Sequence, residues 1–135
     1  MIGFLGRIPG ARILNSLPGD GRELDAVIAR HVFHYQLSPD ELSYYLPGQD
    51  APQGFRSPVW LPIPPYSTEG GSAWEVLERI DRRRLPGFVR IERELDGYFI
   101  MSLQPTDDPL SKVVVARGRT EPLAICRGSL VLLSA

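Results

Sequence analysis

The sequence predicts an α/β (α+β) fold, a layered sandwich of one three-stranded antiparallel meander and three main helices in the order α-α-β-β-β-α. Three observations carry this expectation. Apolar residues recur at helical spacing in two early segments and again near the C-terminus. Between the second and third of these the pattern switches to alternation, as strands require. Asp96-Gly97 stands between two alternating runs, the mark of a tight hairpin in which both turn positions tolerate positive φ. With 135 residues the chain suits one domain, residues 20–135, preceded by an arm at 1–19 made of short apolar pieces broken by Gly and Pro.

The first helix is expected at about 21–34. In "DGRELDAVIARHVF" Asp20 can cap it with Glu23 as the capping-box partner, and Leu24, Val27, Ile28 and Val32 form the apolar stripe. A Pro-rich crossover follows at about 36–66. Residues 37–67 hold seven of the thirteen prolines, so no long helix or central strand runs through them. Ser38-Pro39-Asp40-Glu41 can start one helical turn carrying Leu42 and Tyr45. Near Trp60 the chain should be extended, because residues before proline avoid the helical region. Phe55, Val59, Trp60, Leu61 and Ile63 favour packing against the body.

The second helix carries Ala73, Trp74, Val76, Leu77 and Ile80 and stops before Pro86-Gly87. Trp74 is read as a core anchor. In "YSTEGGSAWE", Ser72 and Glu75 make a Ser-x-x-Glu capping box, which leaves Gly70 and Gly71 before the helix; Ser67 or Thr68 is the alternative cap one turn earlier. Residues 88–117 should form the meander, with helices two and three packed on it and Leu77, Ile91, Met101, Val114 and Leu130 buried. The third helix begins at Thr120 as cap, with Pro122 in its first turn.

Composition narrows the function. Hydrophobic residues at 43% suffice for a core, and a net charge of −1 gives no field that favours nucleic acid or an anionic membrane. Fourteen of the fifteen cationic residues are Arg, which a GC-rich genome would also produce. The single cysteine, Cys126, excludes an internal disulfide and a thiolate metal cluster, and reads as core. His31 and His34 make half a metal site at best, so no metal and no cofactor are expected. "MIGFLGRIPGARIL" makes a poor signal peptide, and no stretch approaches a membrane span. The Arg-rich run at 78–93 suits a helix end, where cations complement the dipole.

Two helix starts are the candidate ligand sites. Tyr66, Ser67, Thr68, Gly70, Gly71 and Ser72 precede or open helix two, where free N–H groups and small residues let an anion approach. Arg117, Arg119 and Thr120 lie where the last strand hands over to helix three, and two Arg forks there suit a phosphate. Trp60 and Tyr66 are the rings available to stack a base. The bland alternatives are capping alone, Arg pairing with surface carboxylates such as Glu121, and aromatic burial.

Taken together, "RELDAVIARHVF", "YSTEGGSAWEVLERI" and "TEPLAICRGSLVLL" resemble the phage ABA sandwich domain, a family of small phage and prophage proteins, over roughly residues 20–133. The sequence departs from that pattern at His34, where the family tends to carry glycine. It departs again at Gly70-Gly71, and at Gly128, where a larger residue is usual. The resemblance implies a layered α/β fold and a phage context, and carries no catalytic residues. Joined to the absence of a coherent catalytic set, it suggests an accessory binding protein of the host-cell cytoplasm. Such a protein would counter host defence by sequestering a small anionic nucleotide-like ligand or by blocking a host protein through the crossover surface. Nucleic acid and membrane are not expected partners; a homo-oligomer is compatible with the sequence. The enzymatic alternative is a phosphoester or nucleotide hydrolase using carboxylates near the Arg-rich rim, which needs carboxyl groups tuned by their surroundings.

Overall fold

A computed structural model describes residue 19 and residues 21–47, 59–81, 87–105 and 111–133. The elements are α1 (Arg22–His31), β1 (Ser43–Leu46), β2 (Val59–Pro62), α2 (Gly70–Asp81), β3 (Gly87–Arg93), β4 (Phe99–Pro105), β5 (Val113–Gly118) and α3 (Glu121–Leu133). The three helices and the antiparallel meander β3-β4-β5 are those expected, and β1-β2 adds a second, two-stranded sheet inside the crossover. The N-terminal arm lies outside the described residues, apart from Gly19.

Helix α3 is the centre of the molecule. It packs on β5 and β4 on one side and on α2 and α1 on the other. Leu123–Cys126 and Gly128–Leu132 are all buried, which is why its sequence is apolar all round rather than on one stripe. Around it Leu24, Ile28, Val32, Val76, Leu77, Ile80, Met101, Leu103 and Val115 complete one core. Burying each such side chain contributes roughly 1.5–3 kcal/mol, so this single layer of contacts is the main source of stability. Helix α2 packs chiefly on α3 rather than on the sheet. Beside the edge strand β3, Trp74, Leu77 and Glu78 of α2 line a cleft with Gly87, Phe88 and Val89.

Several expectations are corrected. Trp74 does not anchor the core: its side chain is 49% exposed and donates through Nε1 to Glu121 at 3.1 Å. The buried stripe of α2 is Ala73, Val76, Leu77 and Ile80, and Trp74 lies one step outside it. Val114 is 44% exposed, because β5 carries a bulge: Met101 pairs with Ala116 and Ser102 with Val114, leaving Val115 as the extra residue. Val113, Val115 and Ala116 therefore face inward, and Val114 faces out. Leu77, Met101 and Leu130 are buried, and Ile91 is half-buried against the core.

Helix α1 is shorter than expected, ending at His31. The Tyr35 N–H donates back to the Ala29 carbonyl at 3.0 Å, and His34 turns the chain away with φ 57. That left-handed position suits glycine, which is what the resembled family tends to carry there. At its start the cap is Gly21, φ 133, with no side-chain capping bond; Asp20 lies outside the described residues.

Ser38–Leu42 form no helical turn. The Glu41 N–H donates to the Ser38 carbonyl at 2.9 Å across Pro39, closing a β-turn. Asp40 accepts from the Ser38 hydroxyl at 2.6 Å and from the Leu42 N–H at 3.1 Å. Those two bonds hold its carboxyl below the usual carboxylate range. Glu41 then takes φ 59 and the chain leaves as β1, so Tyr45 lies on a strand. The β3-β4 hairpin is present, but its loop has three residues. Glu94 and Tyr98 close it through a 2.7 Å bond, and within the loop Gly97 alone has positive φ, at 91.

The start of α2 also differs from the capping-box expectation. Gly70 and Gly71 occupy the first turn of the helix, so Ser72 is inside it. The Ala73 N–H donates to the Glu69 carbonyl at 3.0 Å, making Glu69 the boundary residue, and the Ser72 hydroxyl donates to Glu69 Oε1 at 3.0 Å. A Cβ added at Gly70 would meet open space, and one at Gly71 only the Glu69 carboxylate at 3.7 Å. Neither glycine is required by a neighbouring part of the protein. Replacing both with alanine should therefore raise stability by about 1 kcal/mol each, measured by urea unfolding of the single and double variants. A loss of stability in either single variant would show that the backbone there is not free to take a side chain.

Candidate functional site

The hairpin β1-β2 and the start of α1 form a cleft of about 330 Å³, lined by Arg22, Asp25, Glu41, Leu42, Ser43, Pro62 and Ile63. Two networks hold its walls. The first is polar. Asp25, buried on α1, accepts through Oδ1 from both the Ser67 N–H at 2.8 Å and the Ser67 hydroxyl at 2.7 Å. Ser67 in turn accepts from the Gly21 N–H at 2.8 Å, supplying the cap that glycine itself lacks. Asp25 belongs to "RELDAV" and Ser67 to "YST", so two distant motifs meet in one buried staple. The signal for Asp25 was present in the sequence, as an acid on the apolar stripe between Leu24 and Ile28.

The second network is aromatic. Tyr66 stacks on Phe33 at 5.2 Å, Phe33 on Tyr35 at 5.5 Å, and Tyr35 on Tyr44 of β1 at 4.2 Å, with planes within 16°. Arg79 of α2 lies over Phe33 at 5.6 Å. This row of rings ties the hairpin to the core. Burial raises the hydroxyl pKa of Tyr66 far above the usual phenol range and that of Tyr44 by less. Glu41 is fixed from the other side by a 2.8 Å ion pair to Arg30.

On the outward side of the hairpin, Trp60 is 47% exposed and lies across from Tyr45, with ring centroids 5.3 Å apart. Leu42, also exposed, lies at the other end of the hairpin, on the rim of the cleft. The structure thus presents an aromatic pair on a short sheet whose other face is locked to the body. Tyr45 was missed as a site residue because "SPDE" imitates a helix start.

The other expected ligand residues do not converge on this cleft. Tyr66 and Ser67 are buried in the two networks, while Thr68, Gly70 and Gly71 are exposed and Ser72 is bonded to Glu69. The starts of α2 and α3 do adjoin, through the Trp74–Glu121 bond. Each is occupied by a carboxylate of the chain, Glu69 at one and Glu121 at the other. Thr120 caps α3 through a long 3.4 Å contact from the Leu123 N–H. Arg117 points to the β3-β4 loop: Nε meets Glu94 at 2.9 Å, Nη2 meets Asp96 at 2.8 Å, and the guanidinium lies over Tyr98 at 4.8 Å. The Glu94 hydrogen bond is the main reason its pKa is raised. Arg119 is exposed.

Cys126 is buried, and desolvation pushes its thiol far above the range in which a nucleophile works. Among the described residues, no three His, Cys, Asp or Glu side chains group as metal ligands. No described helix is long and apolar enough to cross a membrane.

One solved structure matches over most of the chain. It is the 2.0 Å crystal structure of a phage protein from Bacillus cereus ATCC 14579, at TM-score 0.56 and 23% sequence identity, covering 84% of this chain and 87% of that chain. This chain is similar to a phage protein in fold. No protein-family model and no curated protein matches it.

Proposed function

We propose that this chain is a non-catalytic accessory protein of a phage or prophage, related to the ABA sandwich domain. In this reading it acts in the host cytoplasm by binding a host protein through the β1-β2 hairpin. The observation that carries the reading is the half-exposed Trp60 beside Tyr45, on a hairpin tied to the core by a row of four stacked rings. A large ring held rigidly at the surface loses little freedom on binding, and such rings dominate protein interfaces. The phage context rests on the motif resemblance and the similar phage fold.

The nucleotide-sequestering version has less support. The carboxylates of Glu69 and Glu121 already lie at the two helix starts, and the Arg117 fork is committed to Glu94 and Asp96. An anion arriving there would meet like charge and have to displace existing pairs.

Affinity capture from host lysate with wild-type protein and Trp60→Asp, followed by quantitative mass spectrometry, tests the reading. One host protein should be retained by the wild type and drop at least about tenfold with the variant, the loss expected for a central aromatic anchor. Calorimetric titration with cyclic nucleotides and nucleotide-derived signals forms the second arm. Saturable heat that disappears in Arg119→Ala, with no Trp60-dependent partner, would replace this function by ligand sequestration.

A further inference from the structure

The two edges of the meander are not equivalent. β5 is bulged at Val115, a device that discourages further pairing. β3 runs in unbroken register with β4 from Gly87 to Arg93, and among the described residues no strand lies on its other side. The 2.7 Å bond from the Glu94 N–H to the Tyr98 carbonyl sets the phase of its backbone. Even-numbered residues of β3 turn N–H and C=O toward β4. Gly87, Val89, Ile91 and Arg93 turn theirs toward the open edge.

We propose that this edge is a homodimer interface, in which β3 of two copies pair antiparallel about a twofold axis at Ile91 and join the two meanders into one sheet. Charge selects this register. A continuous sheet with its helices on one side must pair residues of like parity, so the axis falls on a residue of the strand. An axis at Arg90 sets Arg90 against its own copy, and one at Glu92 sets two carboxylates together. An axis at Ile91 places Arg90 opposite Glu92 of the second copy, twice. These pairs occupy non-hydrogen-bonded positions, where side chains come closest. Within one copy Arg90 and Glu92 are already 3.6 Å apart, and Lys112 lies 3.4 Å from Glu92, so the dimer would extend an existing charge ladder on the solvent face.

The same register gives the apolar groove an occupant. A cleft of about 440 Å³ lies beside β3, lined by Trp74, Leu77, Glu78, Gly87, Phe88 and Val89, with Phe88 67% exposed. Pairing about Ile91 brings the loop that follows β3 of the second copy, with Leu95 at its tip, to the Gly87 end of β3, where this cleft lies. Leu95 is fully exposed in the single chain. An apolar loop tip and an apolar cleft are thereby matched by a register chosen on charge alone. This surface is distinct from the hairpin that carries Trp60.

Sedimentation velocity of the full chain over a concentration series tests the interface, with circular dichroism to confirm that each variant is folded. Wild type should sediment as a concentration-dependent dimer. Arg90→Glu alone and Glu92→Arg alone should each weaken self-association about tenfold or more, since each creates two like-charge contacts. Mixing those two variants should restore a heterodimer, because every cross-pair is again opposite in sign. Leu95→Asp should weaken the dimer without affecting that charge complementation. Wild type that stays monomeric at about 100 µM, far above the dissociation constant of a specific interface, or single variants that dimerise like wild type, would overturn the proposal. Failure of the two charge variants to complement each other would reject this register.

Discussion

Asp25→Ala should cost about 3–5 kcal/mol, as much as truncating a large core side chain, read as a fall in the urea midpoint at unchanged slope. The carboxylate accepts two short bonds from Ser67, at 2.8 and 2.7 Å, in a site where both residues are buried. Charge-assisted bonds contribute roughly 1.5–3 kcal/mol each, and their removal leaves the buried Ser67 N–H without its acceptor, while the hydroxyl keeps only the longer contact to the Gly21 carbonyl at 3.2 Å. Ser67→Ala should cost less, about 1–3 kcal/mol, because the Ser67 N–H keeps Asp25 while the Gly21 N–H loses its cap. The two losses should not add, since both act on one network. Asp25→Asn retains Oδ1 as an acceptor for both donors and should fall between wild type and alanine. A loss below about 1 kcal/mol for Asp25→Ala, no more than an ordinary surface change, would mean that the staple contributes nothing net. Because the staple joins α1 to the segment entering α2, its loss should also loosen the hairpin that presents Trp60.

Much of this architecture was legible because the long elements carry strong periodicity. The helical spacing of Ala73, Val76, Leu77 and Ile80 marked the buried side of α2, though not that Trp74 lies outside it, and Asp96-Gly97 located the hairpin. What could not be read depends on contacts between distant residues. β1 and β2 are four residues each, too short for alternation to register, and they exist because Tyr44 finds Tyr35 and Leu46 finds Val59. "SPDE" satisfies the rules for a helix start, yet Asp40 spends its carboxylate on the turn instead. Val114 faces out, against simple alternation, because a bulge shifts parity by one residue, and no residue type announces a bulge here. At α2 the capping box was a sound local inference, but Glu69 competes for Ser72 and moves the start forward onto the glycines. For the candidate site, Trp60 was recognisable as a ring with no helical role. Its partner Tyr45 and the Asp25–Ser67 staple were not, since Tyr45 meets Trp60 only through pairing within the crossover and Asp25 meets Ser67 across its whole length.

Gly128→Leu should destabilise the protein by about 3 kcal/mol, and Met101→Ala should reverse most of that loss. Gly128 lies in the middle of α3, where glycine would ordinarily cost about 1 kcal/mol relative to alanine. The reason for tolerating it is Met101. A Cβ at 128 would overlap the Met101 sulfur and stand 3.0 Å from its Cγ and 3.2 Å from its Cβ. Met101 is fully buried, so the thioether has no free volume into which to swing, and a larger residue at 128 must push α3 off β4. Gly128→Ala should already cost about 1–3 kcal/mol, since a single Cβ overlaps the Met101 sulfur and the helical gain offsets only part of that crowding. Met101→Ala alone should cost about 2–5 kcal/mol, as buried truncations do. Combined with Gly128→Leu, the side-chain volume removed from the strand is returned from the helix. The double variant should then lie within about 1.5 kcal/mol of wild type, the range of volume-conserving exchanges. The resembled phage family usually carries a larger residue at this helix position, so the cycle also asks whether the sheet and helix can trade bulk across one contact. Additive losses in the double variant would show that the seat of α3 on β4 depends on backbone approach at Gly128 and not on the Met101 side chain.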